Sequence, residues 1–150
     1  GVSAGAVLVG LGVDVVEVDR IAAVLARYGQ RFLRRVFSEQ EAARCGRRRH
    51  GQQEACLAGR FAAKEAVMKA LGTGTRGVAY REIEVASLPG GRPTVRLYGR
   101  ALARARQLGV ERVAISITHG RDVAVAVAVA LARAAGGPAG GAGDASGEGA

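Results

Sequence analysis

The chain has 150 residues, of which 49% are hydrophobic and only 4% aromatic, so we expect one small domain with an aliphatic core. No apolar run reaches the roughly 20 residues of a membrane-spanning helix, and no signal-peptide pattern stands at the N-terminus, which predicts a cytoplasmic protein without a membrane segment. The net charge of +9 favours nucleic acids, phosphorylated cofactors or acidic proteins as partners but does not choose among them.

The first predicted element is an apolar, β-branched strand over residues 7–16. Gly10 and Gly12 interrupt it, which indicates a β-bulge or the close approach of another backbone segment. Asp14 is the one charged residue of this strand. Because an unpaired carboxylate is costly to bury, Asp14 should either lie at an exposed end and cap the next helix, or pair with a base or a metal.

A helix is predicted over residues 18–28, and a second, shorter helix begins where Ser38 and Glu41 form a capping-box pattern. If the first helix continues past Gly29, its arginines form a basic stripe beside its apolar face. This stripe consists of Arg20, Arg27, Arg31 and Arg34. The basic residues 47–50 are predicted to lie in a solvated loop, with docking of a partner as the alternative.

The strongest helical pattern covers residues 52–71 and ends at Gly72, a residue type that commonly terminates helices. Large apolar side chains form one face, and alanines recur at every fourth position, which lets another backbone pack closely. The apolar face contains Leu57, Phe61, Met68 and Leu71, and the alanines are Ala58, Ala62, Ala66 and Ala70. A loop rich in Gly and Thr follows over residues 72–77.

The rest of the pattern predicts one more helix and four strands. The helix covers residues 100–108, and the strands cover residues 81–88, 94–98, 112–118 and 122–131. The last strand alternates Val and Ala and has no polar face, so it must be covered by a helix on one side and by something else, for example another subunit, on the other. We assign residues 1–133 to the domain and residues 134–150 to a disordered Gly/Ala-rich tail.

Lysine is rare in this chain and its placement is informative. Only Lys64 and Lys69 are lysines among 22 basic residues, and they flank Glu65 in the long helix. Either Glu65 and Lys69 form a solvated i,i+4 pair, or this carboxylate needs compact ammonium groups beside it. His119 stands alone in a predicted turn, where a histidine is more often structural than functional.

No Cys/His spacing suggests zinc, and Cys45 and Cys56 are expected to be two reduced thiols in a cytosolic protein. Two separated carboxylates with ammonium and guanidinium groups nearby suit Mg²⁺, which takes oxygen ligands and shares substrate phosphates. Such a metal neutralises a pyrophosphate during phosphoryl-type transfer, while cationic side chains hold the leaving group.

Three segments resemble the holo-acyl-carrier-protein synthase family, the small type of 4′-phosphopantetheinyl transferase. They are residues 10–21, which begin Gly-Leu-Gly-Val-Asp; residues 59–74, with the sequence GRFAAKEAVMKALGTG; and residues 115–119, Ile-Ser-Ile-Thr-His. The middle segment is long and specific, and the three occur in the family's order and spacing. The extended N-terminus, the Arg-rich stretch and the tail depart from the family pattern without touching these segments.

The resemblance implies an α+β fold, in which an antiparallel sheet packs on the long helix, and a homotrimer with sites between neighbouring subunits. It implies transfer of the 4′-phosphopantetheine group of coenzyme A to a serine of an acyl carrier protein, with release of adenosine 3′,5′-bisphosphate. Asp14 and Glu65 would hold Mg²⁺ against the diphosphate, Glu65 would help to deprotonate the serine, and Lys69 would stabilise the leaving group. Further cofactor contacts would come from Arg60, Lys64, Gly72, Thr73, Gly74 and His119.

The resemblance also gives the basic stripe a purpose, because acyl carrier proteins are acidic and complementary charge speeds and orients encounter. Arg20, with Arg27 and Arg31, is predicted to dock the carrier, and a solvated helix face is the alternative. A nucleic-acid-binding module is supported only by charge, since the chain has three Phe, three Tyr and no Trp to stack on bases. A non-catalytic oligomerising domain is the third alternative.

Overall fold

The computed structural model describes residues 5–49 and 51–134, and in this part of the chain five strands form two antiparallel sheets. The larger sheet has the order β1 (Ala6–Glu17), β5 (Val123–Arg133) and β4 (Val110–His119); β2 (Ile83–Ser87) and β3 (Pro93–Leu97) form a separate hairpin. The helices are α1 (Val18–Tyr28), α2 (Gln30–Val36), α3 (Glu39–Gly46), α4 (Gln52–Leu71), the one-turn α5 (Gly74–Gly77) and α6 (Gly99–Gln107), and a 3₁₀ turn covers Tyr80–Glu82.

Helix α4 forms the centre of the domain. It packs on all three strands of the larger sheet and also contacts α1, α3, α6 and β2. Its bounds, and its end at Gly72 in the left-handed conformation with φ of 70°, confirm the prediction. The predicted single apolar face is too narrow, because 15 of the 20 residues are buried. Alanines and one glycine leave room for neighbouring elements to approach the helix from nearly every side.

Strand β1 lies unusually close to α4. A β-bulge between Leu8 and Gly10 shifts the register, and the glycines beyond it turn toward the helix. A Cβ atom at Gly10 or at Gly12 would lie 1.9 Å from the carbonyl oxygen of Ala70 or Ala66, respectively. Both features predicted for these glycines, a bulge and a close backbone approach, are therefore present. Only hydrogen fits at these two positions.

The larger sheet has one covered and one uncovered apolar face. Four of the five alanines of β5 are fully buried on the helix side, whereas the intervening valines are only partly buried. On the neighbouring strand β1, Leu11, Val13 and Val15 expose 57%, 47% and 57% of their surface. Helix α4 thus covers one of the two faces of β5 that were predicted to need cover. In a single chain the other face is exposed to solvent.

The first helix ends at Tyr28, as predicted, and the condition for one continuous basic stripe is not met, because Gly29 has φ of 55° and separates α1 from α2. One sequence prediction is wrong. The two cysteines are not reduced thiols in this structure, because Cys45 at the end of α3 and Cys56 in α4 form a disulfide. Helix α3 packs on α4, which brings the two Cα atoms to 5.5 Å, within the reach of a disulfide.

Parts of two predictions fall on residues that the structure leaves undescribed. The tail predicted for residues 134–150 lies outside the described residues except for Ala134, and so does His50 of the basic residues 47–50. Within residues 5–49 and 51–134, no helix combines the length and hydrophobicity that crossing a bilayer requires.

Candidate active site

Asp14 and Lys69 form an ion pair where β1 passes α4. The Asp14 carboxylate is only 14% exposed, and its Oδ1 accepts a hydrogen bond of 3.1 Å from Lys69 Nζ. Lys69 Nζ also donates to the carbonyl oxygen of Val13 at 2.9 Å. Asp14 does not cap the next helix, because Glu17 occupies the N-cap position of α1 and makes no side-chain capping bond. Of the two predicted alternatives, pairing with a base is therefore the one found.

Glu65 lies one turn before Lys69 on α4 and is partly buried. Its carboxylate has no hydrogen-bond or ion-pair partner among the residues that the structure describes. Burial raises the pKa of Glu65, and the negative charge of Asp14 raises it further, against the opposing effect of Arg20 and Lys69. The two carboxylates therefore lie close enough to interact, and Lys69 pairs with Asp14 rather than forming the solvated i,i+4 pair with Glu65.

This donor set fits a divalent cation that is shared with a substrate. Both groups are carboxylates, the ligands that Mg²⁺ prefers, and their mutual repulsion favours a cation between them. Within the described ranges, no group of three or more His, Cys, Asp or Glu side chains could hold a metal ion. A protein cage is thus not formed here, and two carboxylates match the way Mg²⁺ keeps waters and binds substrate phosphates.

Lys64 does not belong to this site, although the resemblance implied that it contacts phosphates. Its side chain is fully buried and its ammonium group forms an ion pair of 2.9 Å with Glu41. It also donates to the backbone carbonyl of Tyr80 at 3.0 Å and to that of Ile83. These three acceptors match the three N–H donors of a lysine, so none remains for a phosphate. The predicted contact of Lys64 with a phosphate therefore does not fit this structure.

Arg60 and His119 form a second, basic cluster on α4 and β4. Arg60 is 7% exposed; one guanidinium nitrogen donates to Cys56 Sγ at 3.4 Å, and Nε has no partner within the described part of the chain. Burial lowers the pKa of Arg60, and the cations Arg44 and Arg48 lower it further, against the opposing effect of the Glu41 carboxylate. His119 lies against Gly59, and its pKa is lowered by burial, then by Arg48 and Arg60. Cations gathered around an unpaired N–H group favour an anion.

The predicted cofactor loop follows directly on the C-terminal end of α4. Gly72 and Gly74 both have positive φ, which favours glycine, and both are exposed. Thr73 closes the end of the helix, because its backbone N–H and its hydroxyl both donate to the carbonyl of Met68. Thr73 also lines a groove of about 300 Å³ with Arg100 and Arg104 of α6. The loop is thus an exposed rim beside a basic groove.

The arginines predicted to dock a partner are exposed on α1 and α2. The Arg20 guanidinium lies 5.7 Å from the centre of the Phe61 ring, and Arg27 lies 5.4 Å from the centre of the Tyr28 ring. Arg31 belongs to α2, so its position relative to the other two is set by the break at Gly29 rather than by the period of one helix. Arg20 is the member of the set that adjoins the carboxylates.

Two residues near the site carried no sequence signal for it. Tyr80 stacks on Phe61 with ring centres 5.0 Å apart and planes inclined by 20°. Glu41 was recognised only as part of a capping box, which it forms with Ser38, yet its carboxylate also binds Lys64 and the backbone N–H of Val85. The one available signal was Lys64 itself, because a lysine in a buried helix needs an acidic partner, and Glu41 is that partner.

Comparison with known proteins gives the class. The sequence profile described as the 4′-phosphopantetheinyl transferase superfamily matches residues 10–128. The holo-[acyl-carrier-protein] synthase of Nitratidesulfovibrio vulgaris strain DP4 is 48% identical over 121 residues, which are 80% of this chain and 95% of that protein. The synthase of Solidesulfovibrio magneticus is 50% identical over 119 residues, 79% of this chain and 94% of that protein. The chain belongs to the 4′-phosphopantetheinyl transferase superfamily and, within it, to the holo-[acyl-carrier-protein] synthases.

Solved structures agree with this assignment. The holo-[acyl-carrier-protein] synthase of Neisseria meningitidis has a TM-score of 0.73 at 36% identity, and the match covers 83% of this chain and 98% of that one. The Bacillus anthracis synthase in complex with CoA (3′,5′-ADP) has a TM-score of 0.69 at 32% identity, covering 83% and 97%. The predicted class of enzyme and the predicted α+β fold are thus confirmed.

Proposed function

We propose that this enzyme transfers the 4′-phosphopantetheine group of coenzyme A to a serine of an apo acyl carrier protein, with Mg²⁺, and releases adenosine 3′,5′-bisphosphate. The observation that carries the proposal is the ion pair of Asp14 on β1 with Lys69 on α4, one helical turn after Glu65, which brings two carboxylates from different elements to the same place. Solved relatives named as complexes with coenzyme A support the choice of donor substrate. A cytoplasmic location stays a prediction.

In this proposal the acidic residues bind the metal and accept the proton, and the basic residue Lys69 stabilises the leaving group. Asp14 and Glu65 would hold Mg²⁺, which when bound neutralises the diphosphate of coenzyme A. Among the described residues the Glu65 carboxylate has no hydrogen-bond or ion-pair partner, so it would be available to help accept the serine proton. The serine oxygen forms a bond to the β-phosphorus, and the bond from that phosphorus to the bridging oxygen breaks. Lys69 would then stabilise the charge on the departing bisphosphate.

The basic groups are proposed to hold the nucleotide end of the donor. Arg60 and His119 supply N–H groups, and the Arg60 Nε has no hydrogen-bond partner in the part of the chain that the structure describes. Gly72, Thr73 and Gly74 border the cleft, where the absence of large side chains lets a ligand approach the backbone. Charge-assisted hydrogen bonds to phosphate are stronger than neutral ones, so these contacts would add affinity for coenzyme A.

The proposal is tested by incubating the chain with Mg²⁺, coenzyme A and an apo carrier protein and weighing the carrier by mass spectrometry. We expect the mass of one phosphopantetheine group to be added and the gain to disappear when a chelator removes the metal. Several apo carriers of fatty-acid and polyketide type should be compared, because the physiological carrier is not fixed by the site. An unmodified carrier in every complete reaction would rule out the proposed activity.

We also propose that the enzyme works as a homotrimer, in which the open face of the larger sheet is covered. Exposed aliphatic side chains on β1 make this face too apolar for a stable monomer surface. Leu11→Arg or Val13→Glu should convert the trimer to monomers and reduce transfer, because the site would form between subunits. Light scattering after gel filtration measures the mass.

Leu88→Arg, which changes an exposed leucine in the β2–β3 turn, serves as the control. A monomeric, active wild type would contradict the trimer.

Docking of the acidic carrier is proposed to use Arg20, Arg27 and Arg31. Reversing Arg20 and Arg27 to Glu should raise the KM for the carrier about tenfold at low salt, with a smaller effect at high salt, because exposed charges are screened. Arg27→Glu alone separates docking from the contact of Arg20 with Phe61. The matched control reverses Arg96 and Arg106, two exposed arginines of β3 and α6. An unchanged KM at low salt would exclude docking on α1.

A further inference from the structure

Tyr80 is fixed against α4 at two points. Its ring stacks on Phe61, which lies one turn before Glu65 on that helix. Its backbone carbonyl accepts a hydrogen bond of 3.0 Å from Lys64, the residue adjacent to Glu65. Lys64 is itself held by the buried carboxylate of Glu41. The position of Tyr80 relative to Glu65 is therefore set by packing and by a buried ion pair rather than by a free loop.

The hydroxyl of Tyr80 is available to a ligand. Tyr80 is only partly buried, and its hydroxyl forms no hydrogen bond to any residue in the described ranges. Tyr98 differs, because its hydroxyl donates a hydrogen bond of 3.0 Å to Glu84. A partly buried phenol without an internal partner, beside a proposed active site, is a candidate contact for a substrate.

The charges around Tyr80 identify which substrate it faces. Burial raises the pKa of Tyr80, and Glu65 and Asp14 raise it further, while Arg20 opposes them. Tyr80 thus lies near both the carboxylate pair and Arg20. Arg20 also lies against Phe61, the ring on which Tyr80 stacks. Arg20 is the proposed docking residue, whereas the nucleotide end of coenzyme A is assigned to Arg60 and His119, so the Tyr80 ring lies with the docking residue at Phe61.

We infer that the Tyr80 hydroxyl binds the acceptor side of the reaction, forming a hydrogen bond with the carrier protein at its serine as this serine approaches Glu65. The inference rests on the proposed function, because it assigns a role within that reaction. A phenol hydroxyl both donates and accepts hydrogen bonds, so it can orient a serine hydroxyl beside two carboxylates without adding charge. Glu41 and Lys64 act as positioning residues for Tyr80.

The test compares Tyr80→Phe with the matched control Tyr98→Phe. Phenylalanine keeps the stack on Phe61 and removes only the hydroxyl. We expect kcat/KM with respect to the carrier to fall about tenfold, the loss of one hydrogen bond, with KM for coenzyme A unchanged. The loss should persist at high salt, unlike that of the Arg20 reversal, because Tyr80 is neutral. Tyr98→Phe should leave all constants near the wild-type values.

Three results would overturn the inference: an unchanged kcat/KM for the carrier, a rise in the KM for coenzyme A instead, or an equal loss in Tyr98→Phe. Thermal unfolding of Tyr80→Phe shows whether the variant is folded, and fluorescence anisotropy of a labelled apo carrier measures binding without turnover. If Tyr80→Phe were unfolded, Tyr80→His would repeat the kinetic test with a polar ring. A wild type that does not modify the carrier would refute the proposed function, whereas a Tyr80→Phe variant with wild-type kcat/KM for the carrier refutes only this inference.

Discussion

Asp14→Asn and Glu65→Gln should each lower phosphopantetheine transfer by about 10²–10⁴-fold while the protein remains folded, a loss typical of removing a catalytic base. Either change replaces a carboxylate oxygen by an amide nitrogen, which cannot bind Mg²⁺, and Glu65→Gln also removes the group proposed to accept the serine proton. Mass spectrometry of the carrier over time measures the rate. Glu111→Gln, on a surface ion pair with Arg133, is the matched control and should retain full activity.

The same pair of variants separates metal binding from folding. In metal-free protein, burial and Asp14 raise the pKa of Glu65 above its value in the unfolded chain. The folded state then binds this proton more tightly, so stability from Glu65 is present below the unfolded-state pKa and is lost as pH rises through the folded-state pKa. With chelator at pH 7, Glu65→Gln should be at least as stable as the wild type. Transfer at the wild-type rate by either variant would remove the residue changed in that variant from the proposed metal site.

Lys64→Met should lower the free energy of unfolding by about 3–5 kcal/mol, because it leaves the fully buried Glu41 carboxylate without its cation. Two backbone N–H groups, from Ser38 and Val85, still donate to that carboxylate but carry no net charge. Urea unfolding at fixed protein concentration measures the loss. The double change Glu41→Met with Lys64→Met should recover much of it, since an apolar pair of similar size replaces the ion pair.

The control for this buried pair is an exposed one. Arg100→Ala removes the cation beside the Glu82 carboxylate; the Arg100 side chain is 63% exposed and lies 3.6 Å from this carboxylate, so the loss should stay below about 1 kcal/mol. Lys64→Met also tests the reassignment of this lysine. If the variant were as stable as the wild type but bound coenzyme A more weakly, Lys64 would contact a phosphate, and the buried pair would be a minor feature.

The elements with strong local patterns could be predicted from the sequence almost to the residue. Helix α4 has the predicted bounds because a long helical pattern stops at Gly72, and α3 begins at the predicted capping box of Ser38. The strand glycines were also informative, since Gly10 and Gly12 could be explained only by a bulge or a close backbone contact, and both occur. These features depend on residues near one another in the chain.

What could not be predicted depends on contacts between distant elements. Lys64 and Glu65 are neighbours on a helix that is buried on nearly every side, so periodicity could not say which of them faces the site. Lys64 faces away from the site because its ammonium group pairs with Glu41 of helix α3. The disulfide likewise requires α3 to pack beside Cys56, and Tyr80 becomes relevant only because a 3₁₀ turn returns to α4. No local pattern contains this information.

The absence of side chains at Gly10 and Gly12 has a consequence for the proposed chemistry. Where β1 crosses α4, main chain rests on main chain, and the next residue on that face is Asp14. The separation of the two carboxylates is therefore determined by atoms that every sequence possesses rather than by the shape of interchangeable aliphatic groups. This spacing should not change when core side chains elsewhere are substituted. A single methyl group at either glycine, in contrast, would push β1 away from α4 and separate the two carboxylates.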